Sequence, residues 1–238
     1  MRPIIGVSLK YGLDKDVSII SMTETLRRAL QNLGADVMPI APVIDDDSTK
    51  TPLKDFKKMR EEDKINLNRF LDICDGIVMP GGNKILESDR YILDYAIKNK
   101  IPILGICLSM QMMACYKEDI NIIKNTEEYQ NHMQEDTNVL HQHEIVIDKD
   151  SKLYKILGKN EISVNSLHEF HIEDNAYYKS VAYSKDGLIE AIEYPSTTFN
   201  MGVQWHPEKM VNDDENQKKL MQYFINECSK NKKEKVTI

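Results

Sequence analysis

The chain has 238 residues, 41% of them hydrophobic, which is enough to build one large α/β domain around a sizeable core. Its net charge of -7 and isoelectric point near 5.5 exclude a basic surface for nucleic acid or anionic membrane and favour a small neutral or zwitterionic substrate. The cysteines Cys74, Cys107, Cys115 and Cys228 form no C-x-x-C pair, the apolar start at Met1-Arg2-Pro3-Ile4-Ile5-Gly6 is too short for a signal peptide, and no apolar run approaches the roughly 18 residues of a membrane span, so a soluble cytoplasmic protein with reduced thiols is expected.

Ile4 to Leu9 is a compact apolar run that predicts a buried first strand. A helix follows: Ser21-Met22-Thr23-Glu24 has capping-box spacing, Leu26, Ala29, Leu30 and Leu33 recur at helical intervals, and Gly34 supplies the stop. Val37 to Ala41 gives the second strand, ended by Pro42. From Asp45 to Lys58 the chain turns polar and predicts a surface loop; Asp45-Asp46-Asp47 reads as solvated charge, because hard cations want ligands placed around a turn. Ile65, Leu67, Phe70, Leu71 and Cys74 form the apolar side of a second helix, Ile77-Val78-Met79 the third strand, and Ser88 to Asn99 a third helix. Ile101 to Ile106 is the fourth strand.

This alternation predicts an α/β fold: a doubly wound, mostly parallel central sheet with helices on both faces and right-handed crossovers. After Tyr116 the pattern changes. Lys117 to Asn138 is polar and weakly periodic, suited to a flexible or lid-forming insertion. Strand-like segments at Glu144–Ile147, Ile162–Val164, Val181–Tyr183, Leu188–Tyr194 and Phe199–Trp205 then extend the sheet, with Lys185-Asp186-Gly187 as the turn of a hairpin. A final helix, Asp214 to Cys228, carries Leu220, Met221, Phe224, Ile225 and Cys228 inward, and residues 230–238 read as a solvated tail. The whole of 1–238 is expected to be a single domain.

Pro102 to Ala114 stands out as a short buried strand, a glycine-marked turn carrying Cys107, and an apolar helix start. That layout pushes a nucleophile out at the top of an α/β sheet. A cysteine nucleophile needs a base, a group to orient the base, and donors for an oxyanion. His206 and Glu208 lie two apart at the end of the last strand-like run, so an extended backbone would turn both to one side, His206 as base and Glu208 as its orienting carboxylate. Oxyanion donors are offered by the amides of Leu108 and of Gly81 or Gly82. His141 and His143 share one face of an extended stretch, but two histidines do not make a metal site and no further ligand is marked, so no metal is expected.

These residues resemble the class I glutamine amidotransferase-like hydrolases, a flavodoxin-like group, specifically the γ-glutamyl-γ-aminobutyrate hydrolase type. The resemblance is carried by Pro80-Gly81-Gly82, Gly105-Ile106-Cys107-Leu108-Ser109-Met110-Gln111, Val164-Asn165-Ser166-Leu167-His168 and Gly202-Val203-Gln204-Trp205-His206-Pro207-Glu208, in the same order over most of the chain. It implies a Cys107–His206–Glu208 triad, an acyl-enzyme on Cys107, hydrolysis of a γ-glutamyl amide without a cofactor, and substrate-site positions at Gln111 and His168. A homodimer and delivery of ammonia to a separate synthetase are compatible with it, the latter not favoured because this chain carries no synthetase domain. Three departures stand against the family pattern, one being that the Gly-Gly segment expected after the elbow helix is absent from Lys117 to Asn138, and the other two bear on the site. Ser109 replaces the elbow glycine and is expected to crowd the strand–helix packing, and Glu169-Phe170 replaces the usual His-Gln. A catalytically inactive binding protein is the reading that those two changes would favour.

Overall fold

Apolar residues on both faces of the central strands require cover on both sides, and the helices supply it. The computed structural model describes residues 1–14, 17–43, 59–115, 122–126, 132–136, 139–174 and 176–236. Its strands in chain order are β1 (Ile4–Ser8), β2 (Lys10–Asp14), β3 (Val17–Ser21), β4 (Asp36–Ile40), β5 (Gly76–Met79), β6 (Ile103–Ile106), β7 (Ile122–Lys124), β8 (His143–Ile147), β9 (Glu161–Val164), β10 (Phe170–Ile172), β11 (Lys179–Ser184), β12 (Ile189–Glu193) and β13 (Asn200–Val203). The helices are α1 (Glu24–Asn32), α2 (Glu61–Leu71), α3 (Glu87–Lys98), α4 (Leu108–Ala114), α5 (Lys152–Leu157) and α6 (Glu215–Val236).

The main sheet runs β4-β1-β5-β6-β13-β12-β11-β8-β9. Its first five members pair in parallel and the rest antiparallel, so the predicted C-terminal strands continue the sheet at one edge. Side-chain alternation sorts the core into two layers. Ile5, Val7, Val78, Leu104, Ile106, Met201 and Val203 join Leu26, Leu30, Leu153, Leu220 and Phe224 from α1, α5 and α6. Ile77, Met79 and Ile103 join Leu67, Leu71, Ile92, Leu93 and Met110 from α2, α3 and α4. The sheet is therefore doubly wound and mostly parallel, as its sequence predicts. The α6 helix packs directly on β5, where a Cβ on Gly76 would lie 2.1 Å from Cys228 Sγ.

Several local expectations need correction. The β2–β3 hairpin lies between β1 and α1 outside the predicted pattern; Val17, Ile19 and Ile20 stay exposed, so burial imposes no two-residue period there. Because β3 takes Ser21, Thr23 caps α1 instead, its hydroxyl accepting from Leu26 N at 3.3 Å. On α2 only Leu67 and Leu71 are buried, while Ile65 and Phe70 are 62% and 51% exposed. The α6 helix runs on into the lysine-rich end as far as Val236. The Asp45-Asp46-Asp47 run lies outside the described residues. Among the described residues, no helix is long and apolar enough to cross a membrane.

Candidate active site

Cys107 joins β6 to α4 with φ 52° and ψ -112°, a backbone region rarely occupied by residues other than glycine. Neighbouring structure holds it there. Its N–H donates to the Val203 carbonyl at 2.8 Å, and its own carbonyl accepts from Gln111 N at 3.1 Å. The helix reaches the strand this closely only over Gly105, where a Cβ would lie 2.2 Å from Met113 Sδ and 3.3 Å from Met110 N.

Ser109 does not crowd this packing. It is buried, and its hydroxyl donates to the Pro80 carbonyl at 2.6 Å, tying the elbow to the loop that carries Gly81 and Gly82. The close approach that demands a missing side chain falls at Gly105, so position 109 has room for a hydroxymethyl group. In that loop, a Cβ on Gly81 would come within 2.9 Å of His206 Cε1 and 3.2 Å of Cys107 Cβ. Gly82 rests on the Lys10 side chain, which is itself fixed by a buried ion pair to Asp89 at 2.7 Å.

His206 and Glu208 meet, but not through the extended backbone that their spacing suggests. β13 ends at Val203, and Pro207–Lys209 form a 3-10 turn rather than continued strand. The turn places His206 Nδ1 2.8 Å from Glu208 Oε1. Trp205 is fully buried and anchors the preceding chain, its indole N–H donating to Gln217 Oε1 on α6 at 2.8 Å. Cys107 and His206 lie side by side at Gly81, close enough for the Cys107 side chain to act on the imidazole. Burial disfavours a charged imidazole here, yet the Glu208 carboxylate and then the Cys107 side chain outweigh it and push the His206 pKa up to about 10. By contrast, burial pushes the thiol of Cys115 up to about 11.

A cavity of about 510 Å³ opens beside Cys107, lined by Gly82, Leu108, Gln111 and His168 together with Lys84, Glu169 and Phe170. Gln111 Nε2 donates to the Phe170 carbonyl at 2.8 Å and to Gln204 Oε1 at 3.0 Å, and His168 Nδ1 lies 2.9 Å from the same Phe170 carbonyl. The main chain of Phe170 thus holds both walls. Ile122 and Met133, from described parts of the predicted insertion, also line the cavity.

Sequence reasoning missed Asn165, which brackets the main chain of His206 from the loop after β9. Its sequence signals were its place in the Val164–His168 motif and at the end of a buried strand, and neither gave it a role. Lys10 and Asp89 were missed as well, because each looks like an ordinary surface charge in its own segment. The suggested His141/His143 pair does not meet at one site: His141 Nε2 lies 3.8 Å from Asp214, whereas His143 belongs to a buried group with His132, His168 and Glu190.

The Peptidase C26 family model matches residues 86–208, more than half of the chain. A Schizosaccharomyces pombe protein named as a glutamine amidotransferase is 32% identical over 179 residues, covering 69% of this chain and 66% of that protein. The CTP synthase of Thermotoga maritima is 27% identical over 197 residues, covering 67% of this chain but only 37% of the enzyme, so this chain spans little more than a third of that relative. Among solved structures, a Thermoplasma acidophilum protein described as a GMP synthase subunit superposes with a TM-score of 0.67 at 19% identity, covering 99% of this chain and 98% of that one. The glutaminase domain of Trypanosoma brucei CTPS superposes with a TM-score of 0.59 at 19% identity, covering 96% and 94%. Both structural likenesses concern the fold. With its elbow, glycine loop and sheet order on one scaffold, this chain belongs to the Peptidase C26 family and is class I glutamine amidotransferase-like.

Proposed function

We propose that the protein hydrolyses a γ-glutamyl amide through Cys107, and the observation that carries this reading is a strained, cavity-facing Cys107 set beside the His206–Glu208 pair across Gly81. The Cys107 sulfur attacks the amide carbonyl carbon as a thiolate. Negative charge moves to the carbonyl oxygen, which the amides of Leu108 and of Gly81 or Gly82 stabilise. His206, protonated, gives its proton to the leaving nitrogen, the C–N bond breaks, and an amine departs from a γ-glutamyl thioester. Water then attacks the thioester, losing its proton to His206, and the C–S bond breaks to release glutamate and restore Cys107. Glu208 keeps the imidazole oriented and balances its charge throughout.

Lys84 and Glu169 on the cavity wall give opposite charges suited to the α-carboxylate and α-ammonium of a glutamyl group. Gln111 and His168 line the same cavity. The test is a panel of γ-glutamyl amines, γ-glutamyl peptides and glutamine, assayed for glutamate and amine release. Cys107→Ala should abolish release from every substrate the wild type cleaves, and retained turnover would overturn the proposal.

A second reading is a glutaminase subunit that supplies ammonia to a synthetase, favoured by the similarity to one part of a CTP synthase. It requires glutamine hydrolysis that rises only when a copurifying synthetase is present. Hydrolysis of γ-glutamyl amines by the isolated chain at rates above those on glutamine decides for the first reading.

A further inference from the structure

Four side chains from separate stretches converge beside the cavity wall. His132 follows β7, His143 opens β8, His168 lies between β9 and β10, and Glu190 is on β12. One ligand atom from each lies within 4.8 Å of the others. Glu190 Oε1 is 3.3 Å from His132 Nδ1, 3.5 Å from His143 Nε2 and 3.6 Å from His168 Nε2, and His132 Nδ1 is 3.1 Å from His168 Nε2. These four separations bracket the edge of about 3.3 Å expected between ligands of a tetrahedral ion with bonds of about 2.0–2.1 Å, and the two from His143 to the other histidines lie within 4.8 Å.

The far nitrogens of the three rings explain why the near ones face inward. His132 Nε2 lies 3.0 Å from the Asp186 carboxylate, His168 Nδ1 2.9 Å from the Phe170 carbonyl, and His143 Nδ1 3.3 Å from the Glu144 carbonyl. Each of those partners accepts hydrogen bonds, so each far nitrogen carries a ring proton and the other nitrogen is the one left to face Glu190 and to supply a lone pair to a bound ion. Acceptors on the far nitrogen hold metal-binding histidines in the same way.

Glu190 is fully buried, and among the described residues neither of its oxygens has a partner in hydrogen-bond geometry, nor does His143 Nε2. A carboxylate taken out of water in this way is costly without a cation. One proton bridges only a pair of these atoms, whereas one divalent ion joins all four. Three imidazoles and a carboxylate suit zinc-like ions over calcium or magnesium, which prefer oxygen, and four protein ligands close the coordination sphere against substrate.

We infer that His132, His143, His168 and Glu190 form a structural site for a divalent ion of the zinc type. Such an ion fixes the cavity wall through His168, and it braces β12, where the Glu190 carbonyl accepts from Gln204 N at 2.8 Å just before His206.

The test uses the whole chain as Cys107→Ala, so that the catalytic thiol cannot compete as a ligand. After chelator treatment the protein is titrated with zinc(II) and with cobalt(II) alone. Expected are one ion per chain, the intense visible absorption of tetrahedral cobalt without a near-ultraviolet thiolate band, and a rise in Tm with zinc. His143→Gln, at a partly exposed ligand, and Asp186→Asn, at the acceptor behind His132, should each weaken zinc binding by about 10–100-fold with the far-ultraviolet circular dichroism unchanged. Octahedral cobalt, a thiolate band, or zinc affinity unchanged in both variants would overturn the assignment. Because the readout is binding in a protein without its nucleophile, it fails or succeeds independently of the hydrolase proposal.

Discussion

Asn165 and His206 are joined by two hydrogen bonds, Asn165 Nδ2 donating to the His206 carbonyl at 2.8 Å and His206 N donating to Asn165 Oδ1 at 2.8 Å. The clamp fixes the main chain at the root of the imidazole, while Glu208 fixes its Nδ1. Position and tautomer of the imidazole are therefore controlled by different residues. Asn165→Ala leaves two part-buried main-chain groups without these partners and should cost about 1–3 kcal/mol in urea unfolding. Displacement of the ring should lower kcat by about tenfold or more and leave KM nearly unchanged, because Asn165 does not line the cavity. A variant with wild-type kcat would show that Glu208 alone positions the base.

Gly81 fills the gap between His206 and Cys107, and an added methyl would sit 2.9 Å from one and 3.2 Å from the other. Gly81→Ala should therefore push the base from the nucleophile and reduce kcat by about 100-fold, while overpacking costs about 1–3 kcal/mol. Gly82→Ala meets methylenes of Lys10 at 3.1–3.4 Å and should lose less activity. The ratio of kcat between the two variants checks the assignment, and equal losses would contradict it.

Ser109→Ala removes the 2.6 Å hydrogen bond to the Pro80 carbonyl in a buried setting. The expected loss is about 1–3 kcal/mol in the urea midpoint, accompanied by a modest fall in kcat as the elbow and the glycine loop uncouple. Increased stability would mean that the serine is strained where it stands.

The elevated pKa of His206 has a defined sign. Since the folded value of about 10 exceeds the ordinary 6.5, the stabilisation from the charged ring is complete below the ordinary value and is lost as pH rises through about 10. Glu208→Gln removes the strongest influence raising it, so the alkaline limb of both stability and glutamate release should move to lower pH. Unfolding midpoints and kcat measured across the alkaline range test this, and an unmoved limb would remove Glu208 from that role.

Local sequence determined the order of the main-sheet strands and their covering helices from Ile4 to Ala114, though not the β2–β3 hairpin, because strands buried on both faces must be continuous apolar runs and their covering helices must repeat near every third or fourth residue. It also marked Cys107, since strand, turn and helix start adjoin it in the chain, and the His206–Glu208 pair, although a 3-10 turn and not strand alternation makes that contact. Tertiary structure decided what depends on register between distant segments. It gave Ser109 an acceptor at Pro80, joined Lys10 to Asp89, placed Asn165 against His206, and gathered His132, His143, His168 and Glu190 where the antiparallel strands extend the sheet. Hydrophobic period reports only whether a side chain points in or out; which polar groups meet inside follows from strand order and register, and those are settled by the packing of the whole sheet.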